Sequence, residues 1–188
     1  MLKKLLAVLF LATMALPASA QSIGGPFTLT GQNGKQVTEK TYRGKFMLIF
    51  FGCTRCTTTT APALKKLSAA VAALGDKAAK VAPLFITVDA EGDKPATLSS
   101  YLSANAPNFT GLTGTRAQIN AATNAYKVYA LRVDDKGSIG GAEPEPDAYY
   151  YLHSDYVYLM SPQGTFYTLL QGSGTQEQLS MQLNALIK

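Results

Sequence analysis

The sequence predicts an α/β domain in which a central mixed sheet is flanked by helices. Three observations support this prediction: short apolar runs alternate with segments of helical periodicity, a hairpin pattern stands near the start, and a second hairpin and a helix close the chain. Residues 21–188 are enough for one domain with its own core and too few for two ordinary domains. We therefore expect a single domain over residues 21–188.

The first twenty residues have the three parts of a secretory signal peptide. Lys3 and Lys4 supply the charged part, residues 5–16 the apolar part, and Ala18-Ser19-Ala20 the small residues of a cleavage site. We expect export to the periplasm, with residues 1–20 removed. The apolar run is short for a bilayer span, but an uncleaved signal would anchor the protein in the inner membrane, and the sequence leaves this alternative open.

The formal net charge is mildly basic. It is +5 for the whole chain and +3 without the two lysines of the signal, and the charged residues are spread along the sequence. Because this excess is weak and dispersed, it predicts neither a nucleic-acid partner nor an acidic membrane surface.

The first half of the chain predicts a hairpin, a buried strand and a helix. Residues 27–30 and 36–38 have strand-like composition on either side of an Asn-Gly turn signal. The apolar run 46–51 is typical of a buried central strand. A helical period follows, with one face made of Leu64, Leu67, Val71 and Leu74. Threonine is a poor helix former, so the run 57–60 predicts a late or tertiary-controlled helix start.

The second half predicts alternating strands and helices that end in a hairpin and a helix. The predicted elements are a buried strand at 84–88, helices at 95–101 and 115–126, strands at 157–160 and 165–170, and a helix from 175 whose inner face is Leu179, Leu183 and Leu186. Two helices begin with a capping box, Thr115 with Gln118 and Thr175 with Gln178. Residues 134–146, rich in Gly, Pro and acids, predict a loop or an inserted hairpin.

Cys53 and Cys56 are the two cysteines of the sequence, and they stand between the apolar run and the helical pattern. Cys-x-x-Cys at a strand-to-helix turn is typical of thioredoxin-like redox sites and can also hold a soft metal ion. Arg55 and the helix N-terminus both favour the thiolate. A structural disulfide is the alternative, although so short a loop removes little chain entropy. Haem attachment is excluded because Thr57 stands where a histidine is required.

His153 is the single histidine of the chain and precedes the strand predicted at 157–160. In a thioredoxin-like sheet the loop before this strand faces the cysteine turn and commonly carries a cis proline. Ser154 and Asp155 stand at that position here, and His153 lies beside them. We therefore treat His153 as a candidate metal ligand, with a surface or core histidine as the alternative.

Five segments together resemble the Sco/SenC family of copper chaperones. They are IGGPFTLTGQNGK from Ile23, FFG from Phe50, FITVDAEGDKP from Phe85, FTGLTGT from Phe109 and HSDYVYLMSPQG from His153. The resemblance implies a thioredoxin-like fold, copper bound by two cysteines and a histidine, and a role in maturing the copper centre of cytochrome c oxidase. The implied partners are a cytochrome c oxidase subunit or another copper protein, and a thiol–disulfide electron donor.

The cysteine motif differs from the family pattern, which is Cys-x-x-x-Cys. Alignment on Thr54 puts the first family cysteine on Cys56 and the second on Thr60, while Cys53 takes a normally aromatic position. In one hypothesis Cys53, Cys56 and His153 form a trigonal copper(I) site. Zinc is less favoured, because a structural zinc site has four ligands and the chain offers three unless Asp89 or Asp155 joins. In the other hypothesis the protein is mainly a periplasmic thiol–disulfide oxidoreductase.

The sequence leaves two interpretations open for a pair of aspartates and two for the tyrosines near His153. Asp89 and Asp93 match acidic positions of the family pattern, but they also fit the end of a strand and the cap of a helix. Tyrosines crowd the approach to His153 and form either a docking surface or the packing of an inserted hairpin. These tyrosines are Tyr149, Tyr150, Tyr151, Tyr156 and Tyr158.

Overall fold

The computed structural model describes residues 22–134 and 149–188. The strands are β1 (Thr28–Gly31), β2 (Gln36–Thr38), β3 (Phe46–Gly52), β4 (Val81–Thr87), β5 (Thr110–Thr113), β6 (Ala130–Asp134), β7 (Tyr149–His153), β8 (Tyr156–Met160) and β9 (Phe166–Gln171). The helices are α1 (Thr60–Ala72), α2 (Pro95–Asn105), α3 (Arg116–Tyr126) and α4 (Gln176–Leu186). The predicted signal peptide and most of the loop predicted at 134–146 lie outside the described residues.

A seven-stranded sheet forms the centre, with the strand order β2-β1-β5-β4-β3-β8-β9. β4 is parallel to both β3 and β5, while the pairs β1–β2, β1–β5, β3–β8 and β8–β9 are antiparallel. The predicted mixed sheet and the predicted N-terminal hairpin are therefore confirmed. β6 and β7 form a separate antiparallel ribbon, in which His153 pairs with Ala130.

The central strand β3 divides the core into two layers because successive side chains point to opposite faces of the sheet. Leu48 and Phe50 pack in one cluster with residues of α1, α2 and α4. Met47, Ile49 and Phe51 pack in the other, with residues of α3. Both cysteines belong to the α3 cluster, so their sulfur atoms lie against an apolar wall.

The helix starts follow the sequence signals closely. Thr115 and Thr175 each accept a hydrogen bond from the backbone N–H of the Gln three residues later, whose side chain bonds back, so both predicted capping boxes are confirmed. α1 begins only at Thr60, the late start that the threonine run predicts. Among the described residues, no helix has the length and apolar character needed to cross a bilayer.

Three strands, β5, β6 and β7, were not expected from the sequence. Each has only four or five residues, and each pairs with a partner that is distant in sequence or follows a long connection. β4 also begins at Val81, earlier than the predicted residue 84. Asp134, predicted to open a loop, is the last residue of β6. Local composition is a weak guide to such strands, because pairing and burial stabilise them.

Candidate functional site

The two cysteines lie in the turn that connects β3 to α1, as the sequence predicts. Their sulfur atoms form a disulfide, with the two Cα atoms 5.2 Å apart. The backbone N–H of Cys56 donates to the Cys53 carbonyl at 3.2 Å, which closes the turn. Cys53 has no exposed surface, and Cys56 is 6% exposed. Cys56 is therefore the less buried of the two cysteines.

Asp93 holds the cysteine turn in place. Its fully buried carboxylate accepts from the backbone N–H of Thr54 at 3.0 Å and from the Thr54 hydroxyl at 2.5 Å. The Thr87 hydroxyl at the end of β4 donates to the same carboxylate at 2.5 Å. Burial raises the pKa of Asp93, and the hydrogen bonds from Thr54 and Thr87 oppose that shift. Asp93 is not the cap of α2, because Lys94 takes that position.

Asp89 supports the same region from the other side. It is fully buried just after β4 and accepts from the backbone N–H groups of Glu91 at 3.2 Å and Gly92 at 2.9 Å. The Tyr149 hydroxyl on β7 donates to its other oxygen at 2.8 Å. A Cβ on Gly92 would collide with the Asp89 carboxylate, so glycine is required there. Asp89 therefore ties the end of β4 to the β6–β7 ribbon.

His153 is the last residue of β7, not part of a free loop. Its Nδ1 lies 3.0 Å from the Ser154 carbonyl oxygen, and its Nε2 lies 3.3 Å from Thr60 Oγ1. A carbonyl only accepts, so Nδ1 carries the proton in the neutral ring, and the lone pair is on Nε2. The ring also packs edge-on against Phe50, with the centroids 6.2 Å apart. The basic nitrogen thus faces the start of α1.

Thr60 lies between His153 and the cysteine turn. It is fully buried, and its Oγ1 accepts from the backbone N–H of Cys53 at 3.4 Å. A Cβ on Gly52 would come within 2.7 Å of this oxygen, so Gly52 makes room for the threonine. The residue that aligns with the second family cysteine therefore contacts both the cysteine turn and the histidine.

Arg55, between the two cysteines, reaches the β6–β7 ribbon. Its guanidinium lies 4.8 Å from the ring centroid of Tyr149, and that of Arg132 lies 4.0 Å from the same centroid. Arg132 and Arg116 both pair with Glu91, and the Arg116 guanidinium holds the pKa of Glu91 below its usual range. The sequence indicated only the two separate partners of this contact, the charge of Arg55 and the tyrosine-rich segment near His153.

The tyrosines near His153 divide into two groups. Tyr158 is buried in the core, and the Tyr151 carbonyl oxygen lies 3.7 Å from Cys56 Sγ. Tyr150 and Tyr156 are exposed by 43% and 44%. Packing therefore accounts for Tyr158, while Tyr150 and Tyr156 remain candidates for a docking surface.

A cavity of about 300 Å³ opens beside His153. It is lined by Phe50, Thr58, Thr59, Pro62, Ala63, Lys66, His153, Asp155, Gly172 and Ser173. The imidazole therefore forms part of the wall of this cavity. Across residues 22–134 and 149–188, no three side chains of His, Cys, Asp or Glu are arranged to hold a metal ion. In the disulfide form Thr60 contacts both the imidazole and the backbone of the cysteine turn.

The mixed sheet with a Cys-x-x-Cys pair at the turn from a central strand to its helix defines a thioredoxin-like protein. The family model described as SCO1/SenC matches residues 16–188. The chain belongs to this family, as the five sequence segments predicted.

Known relatives agree with this assignment. Protein sco1 of Schizosaccharomyces pombe is 34% identical over 171 residues, which are 90% of this chain and 61% of that protein. Protein SenC of Rhodobacter capsulatus is 36% identical over 163 residues, 87% of this chain and 69% of that protein. The copper-bound structure of Bradyrhizobium japonicum ScoI is 39% identical, with a TM-score of 0.75 over 87% of this chain and 99% of that chain. The chain thus spans about three fifths of the fission yeast protein.

Proposed function

We propose that this protein is an exported copper-binding chaperone that serves assembly of the cytochrome c oxidase copper centre, with Cys53, Cys56 and His153 as its ligands. Membership of the SCO1/SenC family and the copper-bound ScoI structure support a copper function. The observation that carries the ligand assignment is the 3.3 Å contact of His153 Nε2 with Thr60, since Thr60 also accepts from the Cys53 N–H and so brings the chain's single imidazole next to the cysteine turn.

The residues present suit copper(I) as cargo. Two thiolates and one imidazole are the soft and intermediate donors that copper(I) prefers, in a set of three. The disulfide must first be reduced: a donor dithiol gives two electrons and two protons, the donor becomes a disulfide, and Cys53 and Cys56 become thiols. Binding of copper(I) then displaces the two thiol protons.

The test is copper(I) binding by the reduced chain from residue 21 onward, measured by competition with a chromophoric chelator. We expect one copper(I) per chain. Cys53→Ser and Cys56→Ser each abolish tight binding, whereas His153→Ala weakens it, because two thiolates still hold the ion. X-ray absorption should show a nitrogen donor that His153→Ala removes. An unchanged affinity and spectrum in His153→Ala would show that the three-ligand site is wrong.

A second candidate function is thiol–disulfide exchange, in which the protein reduces a disulfide of a copper-receiving partner. The observation that favours it is the closed Cys53–Cys56 disulfide at the strand-to-helix turn, in which Cys56 is the less buried residue. The two candidates differ in their need for the imidazole. His153→Ala should leave disulfide reduction intact and should weaken copper binding, so the two assays on one variant separate them.

The same proposal includes the placement of the protein. Residues 1–20 act as a secretory signal or inner-membrane anchor, and residues 21–188 form one thioredoxin-like domain in the periplasm. The partners are a cytochrome c oxidase subunit or another copper protein, and a thiol–disulfide electron donor. Mass spectrometry of the protein isolated from the periplasm tests the cleavage after Ala20, and recovery of residues 1–20 with the membrane fraction would favour the anchor.

A further inference from the structure

The hydroxyl of Thr60 contacts the basic nitrogen of His153. Nδ1 carries the ring proton toward the Ser154 carbonyl, so the Thr60 hydroxyl donates its proton to the Nε2 lone pair at 3.3 Å. That lone pair is the same one that a metal ion or another electrophile would need. In the disulfide form this Nε2 lone pair therefore already accepts a hydrogen bond from Thr60.

The surroundings of Thr60 fix this contact. The side chain is fully buried, and the Cys53 N–H donates to the same oxygen at 3.4 Å. Gly52, which has no Cβ, leaves the space that the hydroxyl and methyl groups fill. The threonine thus has one defined position between β3 and β7.

The alternative acceptor for the hydroxyl within α1 is already occupied. A helical threonine can turn about χ1 to donate its hydroxyl to a carbonyl three or four residues earlier, which here is the Cys56 carbonyl. That carbonyl already accepts from the backbone N–H groups of Thr60 at 2.8 Å and Thr59 at 3.2 Å and from the Thr59 hydroxyl at 3.5 Å. Rotation would also take the acceptor from the buried Cys53 N–H, so the contact with His153 is the favoured one.

We propose that Thr60 is a gate for His153: its hydroxyl holds the Nε2 lone pair in the disulfide form, and an electrophile or metal ion that binds Nε2 must first displace this hydroxyl. The part of this inference that concerns copper rests on the proposed function. The gate itself is a property of the metal-free protein. It makes Thr60 a positioning residue that sets how readily His153 joins a ligand set.

The variant that tests the gate is Thr60→Val, which keeps the shape of the side chain and removes the hydroxyl. Thr60→Ser keeps the hydroxyl, and Thr57→Val is the matched control, since Thr57 is exposed in the same turn. In the metal-free disulfide form, diethyl pyrocarbonate acylates an unprotonated imidazole nitrogen. His153 is the single histidine of the chain and lines the cavity, so the rate of histidine acylation is the rate at His153.

We expect Thr60→Val to be acylated about two- to tenfold faster than the parent, the factor that one net hydrogen bond is worth. Thr60→Ser and Thr57→Val should react at the parent rate. Copper(I) should bind the reduced Thr60→Val tighter by a similar factor. Thermal unfolding of each variant confirms that it is folded, and Thr60→Ala, which also removes the hydroxyl, repeats the test if the valine variant is not.

The outcomes separate the gate from the proposed function. Faster acylation of Thr60→Val in a protein that binds no copper(I) supports the gate and overturns the copper function. Equal acylation rates in Thr60→Val and the parent protein overturn the gate, whether or not the protein binds copper(I). Faster acylation with weaker copper(I) binding also overturns it, because the hydroxyl would then orient the ring for the metal. A slower Thr60→Ser with no change in Thr60→Val contradicts the role of the hydroxyl.

Discussion

Asp93 accepts two hydrogen bonds from Thr54, the residue directly after Cys53. The Thr54 backbone N–H donates to the Asp93 carboxylate at 3.0 Å and the Thr54 hydroxyl donates to it at 2.5 Å. The two residues are 39 positions apart, and the carboxylate that joins them has no exposed surface. A third bond, from Thr87, fixes the carboxylate to the end of β4. The conformation of the cysteine turn therefore depends on a buried acid outside the motif.

Asp93→Ala should destabilise the protein by about 2 kcal/mol or more, because it leaves buried donors of Thr54 and Thr87 without an acceptor. Asp93→Asn should cost much less, since the amide oxygen can accept from the Thr54 N–H and the Thr87 hydroxyl, and its NH₂ can donate to the Thr54 hydroxyl. Urea unfolding of the disulfide forms measures both. Equal losses in the two variants would show that charge, not hydrogen bonding, matters at this position.

The stability contributed by Asp93 should depend on pH in a direction set by its pKa. Burial raises that pKa in the folded protein, with Asp89 adding to the shift and the threonines opposing it. A carboxyl group whose pKa is raised in the folded protein stabilises the fold fully at a pH below its pKa in the unfolded chain. This stabilisation is lost as the pH rises through the pKa of the folded protein. Relative to Asp93→Asn, the parent should therefore gain unfolding free energy as pH falls from about 7 to about 4. Urea unfolding across this range measures the difference, and a loss on acidification would contradict the raised pKa.

Elements with strong local signals were predictable. The apolar runs of β3 and β4 give buried strands, and the capping boxes at Thr115 and Thr175 fix two helix starts, because each signal is contained within a few residues. β5 is different. Its four residues, Thr-Gly-Leu-Thr, become a strand because β1 and β4 lie on either side of them. Local sequence does not specify that arrangement.

The candidate site shows the same division. The Cys53–Cys56 pair and its strand-to-helix setting are local, and the sequence predicted both. The contact between Thr60 and His153 spans 93 residues and depends on β7, a strand that the sequence did not indicate. The sequence also allowed Asp93 to be a helix cap, since Pro95 follows it closely. Only the packing of β4 against the cysteine turn assigns the carboxylate to Thr54.

Tyr149→Phe should lower the unfolding free energy by about 1 kcal/mol, because the hydroxyl that donates to buried Asp89 is lost while the ring under Arg55 and Arg132 remains. Burial and the bond to Asp89 raise the pKa of Tyr149 to about 12, so the phenol still donates at neutral pH. The control is Tyr150→Phe on the exposed face of β7, which should change stability by less than about 0.5 kcal/mol. Urea unfolding measures both, and equal effects would show that the bond to Asp89 contributes nothing.

Cys56 should be the attacking thiol in disulfide exchange. It is the less buried member of the pair, and its carbonyl accepts from Thr60, the first residue of α1, whose N-terminus favours a thiolate. With glutathione disulfide, Cys56 forms a mixed disulfide and releases glutathione, and Cys53 then closes the internal disulfide and releases the second. Mass spectrometry should find the mixed disulfide in Cys53→Ser and not in Cys56→Ser. The reverse pattern would make Cys53 the attacking thiol.

Thr60→Cys should change which cysteines copper(I) binding requires. Thr60 aligns with the second family cysteine, and its side-chain oxygen is 3.3 Å from His153 Nε2, so a thiol on this residue would lie beside the imidazole. Copper(I) could then be held by that thiol, Cys56 and His153, a complete set of three donors. We expect tight binding in the Thr60→Cys variant to survive the further change Cys53→Ala, whereas Cys53→Ala alone abolishes it.

Chelator competition with the reduced proteins measures this difference, and Thr59→Cys is the control, because Thr59 is the exposed neighbour of Thr60. A thiol there adds a sulfur to the turn without directing it at the imidazole, so Thr59→Cys with Cys53→Ala should bind weakly. If both double variants bind equally well, the number of thiols decides the affinity. If Thr60→Cys still requires Cys53, the shifted Cys-x-x-Cys pair is the ligand pair that this fold needs, and the contact between Thr60 and His153 is not a ligand position.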